Sequence, residues 1–251
     1  MAETFRWYDL RTTDPKAAAA FYGKVVGWGT QDAGSAESPY TVLTTDKGGV
    51  AGIGHLSRTP DEAPSWVGYV GVEDVDACAE RLAEAGGAVR TPPEDIPGVL
   101  RFANVADSQG TPFVIFRGFP EGGPPTGASG EPGFVGWHEL VATDSTSVFD
   151  FYSGLFGWTK TDSFNMGPMG LYQMFSAGAE PLGGMMTQPD KGEPPHWNYY
   201  FRVDAASAAA ERVKSAGGKV TNGPHQVPSG DWVLQGADPQ GVAFYLVSLN
   251  P

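Results

Sequence analysis

The chain has 251 residues, a formal net charge of −13 at pH 7 and a single cysteine, Cys78. Its scattered acidic residues repel phosphate backbones and anionic lipids, so neither nucleic acid nor a membrane is expected as a partner. One cysteine rules out an intramolecular disulfide, and we find no signal peptide and no apolar run near the ~20 residues of a membrane span, so we expect a cytoplasmic protein.

A stretch of about 24 residues occurs twice. FRWYDLRTTDPKAAAAFYGKVVGW at 5–28 matches VGWHELVATDSTSVFDFYSGLFGW at 135–158 after a shift of 130 positions. A repeat on this scale indicates two related halves. We therefore predict a first domain at 1–118, a Pro/Gly-rich linker at 119–133 and a second domain at 134–251.

The first half reads as two successive β-α-β-β-β units. Residues 5–10 alternate as a strand, and Asp14 followed by Pro15 is typical of a helix N-terminus. A strand from 28, a hairpin made of 35–45 and 49–56, a strand at 66–72, a helix ended by Gly86-Gly87 and two last strands complete the pattern. The second half repeats this order, with Asp107-Ser-Gln-Gly110 and Asp238-Pro-Gln-Gly241 as matching turns.

Each sheet has one face covered by its helix, and its other face must curve and find cover. Two paired units therefore make a half-open barrel, and the fold class is α+β. A concave sheet favours binding of a small molecule. We expect the two halves to pack on each other as an internal pseudo-dimer, within a monomer or a homodimer.

The chain resembles the vicinal oxygen chelate superfamily, which includes glyoxalase I, bleomycin-resistance proteins, extradiol dioxygenases and fosfomycin-resistance enzymes. The motifs that carry the resemblance are D-x(6)-FY-x(4)-GW after each first strand, the VEDVDA…AGG helix and D-[SP]-Q-G before each last strand. The W-x-[DE]-L openings are similar to a tandem subgroup labelled glyoxalase-like or "hydroxylase".

The resemblance implies tandem domains of this superfamily and a divalent metal held by His, Gln or Glu from four strands. The corresponding positions are Trp7, Val67 and Val114 in the first half and Trp137, Asn198 and Tyr245 in the second. The fourth strands, at 50–55 and 182–187, contain no carboxylate, and His55 is the one candidate donor there. We therefore expect no metal cofactor. The alternative is a divalent ion such as Zn²⁺, Ni²⁺ or Fe²⁺ held by Glu139, His196 and Asn198.

Two carboxylates are candidate catalytic residues. Side chains two apart on a strand share a face, so Asp9 and Glu139 are expected to face the same cavities as Trp7 and Trp137. A carboxylate in an aromatic cavity can serve as a general acid or base. A purely architectural ion pair or backbone contact would explain the same residues.

The candidate ligand-binding residues are mostly aromatic or apolar, as expected for walls that stack on flat organic molecules. They are Trp7, Trp137, Asn198, Tyr200, Tyr245, Tyr69, Val67 and Val114. Core packing is the simpler interpretation for the tryptophans, the Phe-Tyr pairs, Cys78, His138 and the five methionines between 166 and 186, and His196 could be a solvated loop residue.

The sequence is compatible with two functions. The first is metal-independent binding of a hydrophobic or aromatic metabolite or antibiotic, with or without acid/base chemistry. The second is a metal-dependent glyoxalase-like lyase or isomerase, or a dioxygenase. One half could also serve only as a scaffold.

Overall fold

The computed structural model describes residues 3–35, 37–56, 63–118, 130–179, 181–188 and 192–251. The first half contains strands β1 (Phe5–Thr12), β2 (Gly29–Asp32), β3 (Tyr40–Thr45), β4 (Gly48–His55), β5 (Ser65–Gly71), β6 (Ala88–Val89), β7 (Glu94–Ile96), β8 (Leu100–Ala106) and β9 (Pro112–Gly118), with helices α1 (Pro15–Val25) and α2 (Val75–Glu84).

The second half repeats this order. It contains strands β10 (Val135–Ala142), β11 (Thr159–Asn165), β12 (Leu171–Ser176), β13 (Pro181–Thr187), β14 (His196–Arg202), β15 (Lys219–Gln226), β16 (Trp232–Ala237) and β17 (Ala243–Ser248), with helices α3 (Ser145–Phe156) and α4 (Ala206–Ser215). The predicted β-α-β-β-β pattern is confirmed in both halves, with β7 as one additional short strand in the first half. We number the four units modules 1 to 4, starting at β1, β5, β10 and β14.

Each half forms one mixed sheet. The strand order is β2-β3-β4-β1-β5-β9-β8-β6 in the first half, with β7 beside β8, and β11-β12-β13-β10-β14-β17-β16-β15 in the second. The first and last long strands of a module pair in parallel, as β1 does with β4 and β14 with β17. The equivalent strand order in both halves confirms the predicted repeat. The mixed sheets with separate helices confirm the predicted α+β class.

The first helix of each half begins where the sequence predicts. The Asp14 carboxylate accepts a hydrogen bond from the Ala17 amide at 3.0 Å, and Pro15 occupies the first turn. Asp144 caps α3 in the same way through the amides of Thr146 and Ser147. These caps satisfy amides that a helix start otherwise leaves without acceptors. Within the described residues, no helix is long and apolar enough to cross a membrane.

The observed strands differ from the predicted strands in two ways. The first hairpin was predicted to begin at residue 35, but β3 begins only at Tyr40, and of the residues before it 35 and 37–39 are described and are not in a strand. Ser, Glu and Pro have low strand preference, and Pro39 has no amide hydrogen to give to a sheet. The pattern calls for one more strand after the helix in modules 2 and 4, but the sequence did not locate β6, β7 or β15, because none of them shows an apolar alternation.

Two compact units cut across the two halves of the sequence. One comprises Met1–Arg6, Gly68–Gly123 and His138–Asn198; the other comprises Trp7–Val67, Pro124–Trp137 and Tyr199–Pro251. The first therefore combines modules 2 and 3, and the second combines modules 1 and 4, so each unit joins a module of one half to a module of the other. The domain boundaries at 118 and 134 stay a prediction, and residues 119–129 of the predicted linker lie outside the described residues.

Within the first unit, a buried hydrogen-bonded chain links motifs from both halves. The Trp197 Nε1 donates to the Tyr152 hydroxyl at 2.9 Å, and this hydroxyl donates to Asp107 Oδ2 at 3.0 Å. The other oxygen of Asp107 accepts from the amides of Gln109 and Thr111 at 2.8 and 2.9 Å. The Tyr of the repeated Phe-Tyr pair thus fixes the turn that leads into β9.

The second unit contains the equivalent chain from Trp66 through Tyr22 to Asp238. Tyr22 donates to Asp238 Oδ2 at 3.3 Å, and burial raises the pKa of the Asp238 carboxyl. Tyr22 and Tyr152 are both fully buried, which confirms the packing role predicted for the Phe-Tyr pairs. Their hydrogen bonds to the turns were not predicted.

Replacing Asp107 by alanine is expected to lower the free energy of unfolding by about 2 kcal/mol, because two turn amides and the Tyr152 hydroxyl lose their acceptor inside the protein. Urea denaturation measures the change. Asp46→Ala alters an exposed turn aspartate of the β3–β4 hairpin and should cost less than about 0.5 kcal/mol. Equal losses in both variants would show that the chain of hydrogen bonds contributes nothing.

Candidate functional site

In the second unit, Asp9 is held by two aromatic donors. The Tyr40 hydroxyl donates to Asp9 Oδ1 at 2.6 Å, and Trp7 Nε1 donates to the same oxygen at 2.9 Å. Trp7 Nε1 also lies 2.8 Å from the Tyr40 hydroxyl, so the three side chains close a triangle. Asp9 is only 9% exposed and Trp7 is buried. The cluster is compact, and Trp7 and Tyr40 both contact Oδ1 of its carboxylate.

In the first unit, Glu139 has the position equivalent to Asp9 but a looser environment. Asn198 Nδ2 donates to Glu139 Oε1 at 3.1 Å, and the Tyr172 hydroxyl donates to Oε2 at 3.2 Å. Each oxygen thus accepts one of these two bonds, and both bonds are longer than those to Asp9. Asn198 is buried, whereas Glu139 and Tyr172 are partly exposed. Glu139 is therefore the more accessible of the two carboxylates.

A glycine lies beside each carboxylate and makes room for the tyrosine. Asp9 is in register with Gly52, and Glu139 is in register with Gly184. A Cβ atom on Gly52 would lie 1.7 Å from the Tyr40 hydroxyl oxygen, and one on Gly184 would lie 2.1 Å from Tyr172 Cε1. Each phenol ring therefore crosses the neighbouring strand at the one residue type without a side chain. The strand glycines in AGIGH and LGGMM were the signal for this arrangement that sequence reasoning missed.

Three of the predicted ligand-binding residues lie together in the second unit. Trp137 and Tyr245, both partly buried, pack against a cluster formed by Tyr200, Val233 and Val247. The ring centroids of Tyr200 and Tyr245 are 5.1 Å apart. These side chains form an aromatic surface, which we call the Trp137 cluster.

The remaining predicted ligand-binding residues of the first half are well buried. Tyr69 lies opposite Val114 on neighbouring strands, and its ring meets that of Phe116 edge-on at 5.9 Å. Val114 is fully buried and Val67 is 5% exposed. Their surroundings are those of core residues.

The donor set does not fit a resident divalent ion. The positions implied by the family resemblance hold Trp7, Val67, Val114, Trp137, Asn198 and Tyr245. Of these, only Asn198 offers even a weak ligand, and its amide nitrogen, not its oxygen, faces Glu139. Among the described residues, no group of three or more His, Cys, Asp and Glu side chains is placed to hold a metal.

The two histidines considered for metal binding have other contacts. His196 is the first residue of β14 rather than part of the preceding loop, and its Nδ1 lies 3.0 Å from the Pro194 carbonyl oxygen. His55 is exposed, and its Nδ1 lies 2.8 Å from the carbonyl oxygen of Leu56.

His138 and Cys78 are buried inside the first unit. His138 stacks on Phe5 with ring centroids 4.8 Å apart, and its Nδ1 donates to the Leu182 carbonyl at 2.8 Å. Burial lowers the pKa of His138 to about 4 and raises the pKa of Cys78 to about 11. Both side chains are therefore neutral at pH 7 and suit the packing role predicted for them.

Comparisons with known proteins all indicate the same family. The model of the Glyoxalase/Bleomycin resistance protein/Dioxygenase superfamily matches residues 4–115 and again 135–246. "Putative glyoxylase CFP32" of Mycobacterium bovis is 32% identical over 99% of this chain and 95% of its own length. "Anthracycline biosynthesis protein DnrV" of Streptomyces peucetius is 32% identical over 97% of this chain and 92% of its own length.

Solved structures share the fold at lower identity. The Mn(II)-bound glyoxalase from Novosphingobium aromaticivorans superposes with a TM-score of 0.71 at 17% identity, covering all of this chain and 83% of that one. A 2,2',3-trihydroxybiphenyl 1,2-dioxygenase from Sphingomonas wittichii gives 0.68 at 14% identity, over 99% and 91% of the two chains. With the double family match, these likenesses confirm the resemblance and the tandem fold. The chain belongs to the glyoxalase/bleomycin resistance protein/dioxygenase superfamily.

Proposed function

We propose that the protein binds a small organic molecule at Glu139 without the help of a metal ion. The observation that carries this proposal is the environment of Glu139, a partly exposed carboxylate oriented by Asn198 and Tyr172. In the part of the chain that the structure describes, no group of three or more His, Cys, Asp and Glu side chains surrounds it. Each carboxylate oxygen has more than one acceptor site, so it can also accept a hydrogen bond from a ligand hydroxyl or ammonium group.

The proposed ligand is aromatic and is either neutral or cationic. The formal charge of −13 disfavours an anionic ligand. A relative that matches 97% of this chain is named for anthracycline biosynthesis. An anthracycline combines a flat fused-ring system with hydroxyl groups and an ammonium group, which are the donors that a carboxylate accepts.

Glu139 is also the better candidate for acid/base chemistry. As a carboxylate it can take up a proton from a bound hydroxyl or carbon acid, while Asn198 and Tyr172 keep it in place. Asp9 is the weaker candidate, because Trp7 and Tyr40 enclose its Oδ1 at short distances.

Replacing Glu139 by glutamine is expected to weaken anthracycline binding by about tenfold, because a charge-assisted hydrogen bond becomes a neutral one. Fluorescence titration of the purified protein with daunorubicin measures the dissociation constant. Glu80→Gln, an equal change of charge on the exposed face of α2, is the matched control and should leave binding unchanged.

Asp9→Asn, measured in the same assay, tests whether the first half of the chain also contributes to binding. Unchanged binding supports a site at Glu139 and a scaffold role for the first half. An equal loss in the Asp9 and Glu139 variants, with both proteins folded by circular dichroism, would contradict the proposal.

The second candidate is a metal-dependent glyoxalase-like enzyme, favoured by the name of the Mycobacterium relative. Its donors would be Glu139, His196 and Asn198. We expect that adding Ni²⁺, Zn²⁺ or Fe²⁺ gives no turnover of the methylglyoxal–glutathione hemithioacetal or of catechol. Turnover that appears with one of these metals and is lost in His196→Ala would establish the second candidate instead.

A further inference from the structure

Four apolar or aromatic side chains form a row across module 3. Val141 on β10 is in register with Met186 on β13, Met186 with Tyr172 on β12, and Tyr172 with Phe164 on β11. Directly opposed residues of neighbouring strands point to the same face of a sheet. We call these four residues the apolar row.

The apolar row lies on the face of the sheet that carries Glu139. Glu139 is two residues from Val141 along β10, and the Tyr172 hydroxyl donates to it. The alternate residues Leu140, Met185 and Phe175, which point to the other face, are fully buried. By contrast, Val141, Met186 and Tyr172 are partly exposed, and Phe164 is 40% exposed. The row is therefore an accessible apolar surface next to a carboxylate.

Module 1 has the same backbone register but does not have this surface. Arg11 is in register with Gly54, Gly54 with Tyr40, and the Ala33 amide donates to the Tyr40 carbonyl oxygen. Arg, Gly and Ala thus replace Val, Met and Phe, and only the tyrosine is common to both. Since module 1 folds without them, the fold itself does not require Val141, Met186 or Phe164 to be apolar.

The outer end of the row is fixed by a hydrogen-bonded hairpin tip. The Met166 amide donates to the Gly170 carbonyl at 2.7 Å, the Gly170 amide donates to the Gly167 carbonyl at 3.0 Å, and the Gly167 amide donates to Asn165 Oδ1 at 2.9 Å. Phe164 is therefore presented on an ordered strand end, and an ordered apolar surface binds with less loss of entropy than a mobile one.

We propose that the apolar row is the platform that selects the flat, fused-ring part of the ligand, while Glu139 accepts a hydrogen bond from a donor group attached to that part. This inference rests on the proposed function and adds to it a ligand shape: a planar body of two or more rings with an ammonium or hydroxyl group attached through one carbon atom. Phe164 and Met186 then act as specificity residues, and Arg11 explains why module 1 lacks the same preference.

A series of amines that differ only in ring number tests the platform. Benzylamine, 1-naphthylmethylamine and 9-(aminomethyl)anthracene carry the same ammonium group, and their affinities can be measured by competition with daunorubicin or by direct fluorescence. Each added ring is expected to strengthen binding to the unaltered protein by about threefold, from apolar burial and stacking. Phe164→Ala should remove most of this gain and leave benzylamine binding almost unchanged.

Leu171→Ala is the matched control, because Leu171 lies on the same hairpin and is 53% exposed, but it pairs with Asn165 and so points to the other face. It should keep the full dependence on ring number. Val141→Arg, which installs the residue found in module 1, should weaken the binding of all three amines. If Phe164→Ala and Leu171→Ala keep the same dependence on ring number, the platform is disproved.

Failure of the platform and failure of the proposed function give different results. Glu139→Gln should weaken all three amines by a similar factor and keep their order. If it does so while Phe164→Ala has no effect, the site at Glu139 stands and the platform falls. If Glu139→Gln has no effect on any of them, the proposed function falls, and with it the inference.

Discussion

Alanine at Gly183 is expected to destabilise the protein severely, whereas alanine at the next residue, Gly184, should leave it folded but separate Tyr172 from Glu139. A Cβ on Gly183 would lie 2.2 Å from the carbonyl oxygen of His138 and 2.9 Å from the ring of Phe175. The carbonyl belongs to the paired strand β10 and cannot move without breaking the ladder. We expect a loss of about 4 kcal/mol or more in the free energy of unfolding.

Gly184 differs because a Cβ atom there would meet the far end of the Tyr172 side chain rather than backbone. A Cβ there would meet the Cε1, Cζ and hydroxyl atoms of Tyr172 at 2.1 to 2.5 Å, and this phenol can rotate outward. The expected loss of stability is about 1–2 kcal/mol, that of a partly exposed contact and one hydrogen bond. Binding of 9-(aminomethyl)anthracene should fall by about tenfold, because both Glu139 and the apolar row lose Tyr172.

Urea denaturation of the two variants and titration of Gly184→Ala measure these effects. Tyr172→Phe is the matched control, since it removes the hydroxyl but leaves the ring in place. It should weaken binding less than Gly184→Ala does. Equal stability of the two glycine variants, or unchanged binding in Gly184→Ala, would show that the glycine is not needed to seat the tyrosine.

The repeat allowed most of the fold to be predicted. The caps at Asp14 and Asp144, the turns at Asp107 and Asp238 and the order of elements follow from local residue preferences, which depend on few neighbours. The short strand β6 and the strand β15 escaped prediction because their pairing comes from the neighbouring strands β8 and β16, not from an apolar pattern of their own.

The candidate site was predicted only in part. Strand alternation was enough to choose Asp9 and Glu139, but not to find Tyr40 and Tyr172, which reach them from another strand. That contact depends on the register between strands and on a missing Cβ at Gly52 or Gly184. Similarly, the Phe-Tyr and D-[SP]-Q-G motifs were each recognised, but their hydrogen bonds join different halves of the chain. Spacing within one half carries no information about such partners.

Acid is expected to destabilise the protein by about 3 kcal/mol through His138 alone. Burial lowers the pKa of His138 from 6.5 to about 4 in the folded protein. The unfolded chain therefore binds a proton that the folded protein does not between these two values. The stability that comes from keeping His138 neutral is complete above pH 6.5, is lost as the pH falls towards 4, and changes no further below pH 4, at about 1.4 kcal/mol per pKa unit.

His138→Phe keeps an aromatic ring stacked on Phe5 and removes the titration. Urea denaturation between pH 4 and 8 should show a steep loss of stability for the unaltered protein and a much flatter curve for the variant. His55→Gln, a change at an exposed histidine, should retain the steep curve. The pKa values of Asp76, Asp144 and Asp204 are lowered from 3.8, so their contribution is lost below that window and affects all three proteins alike. Parallel curves for the unaltered protein and His138→Phe would mean that His138 can be protonated within the fold, which would contradict its burial between Phe5 and the Leu182 carbonyl.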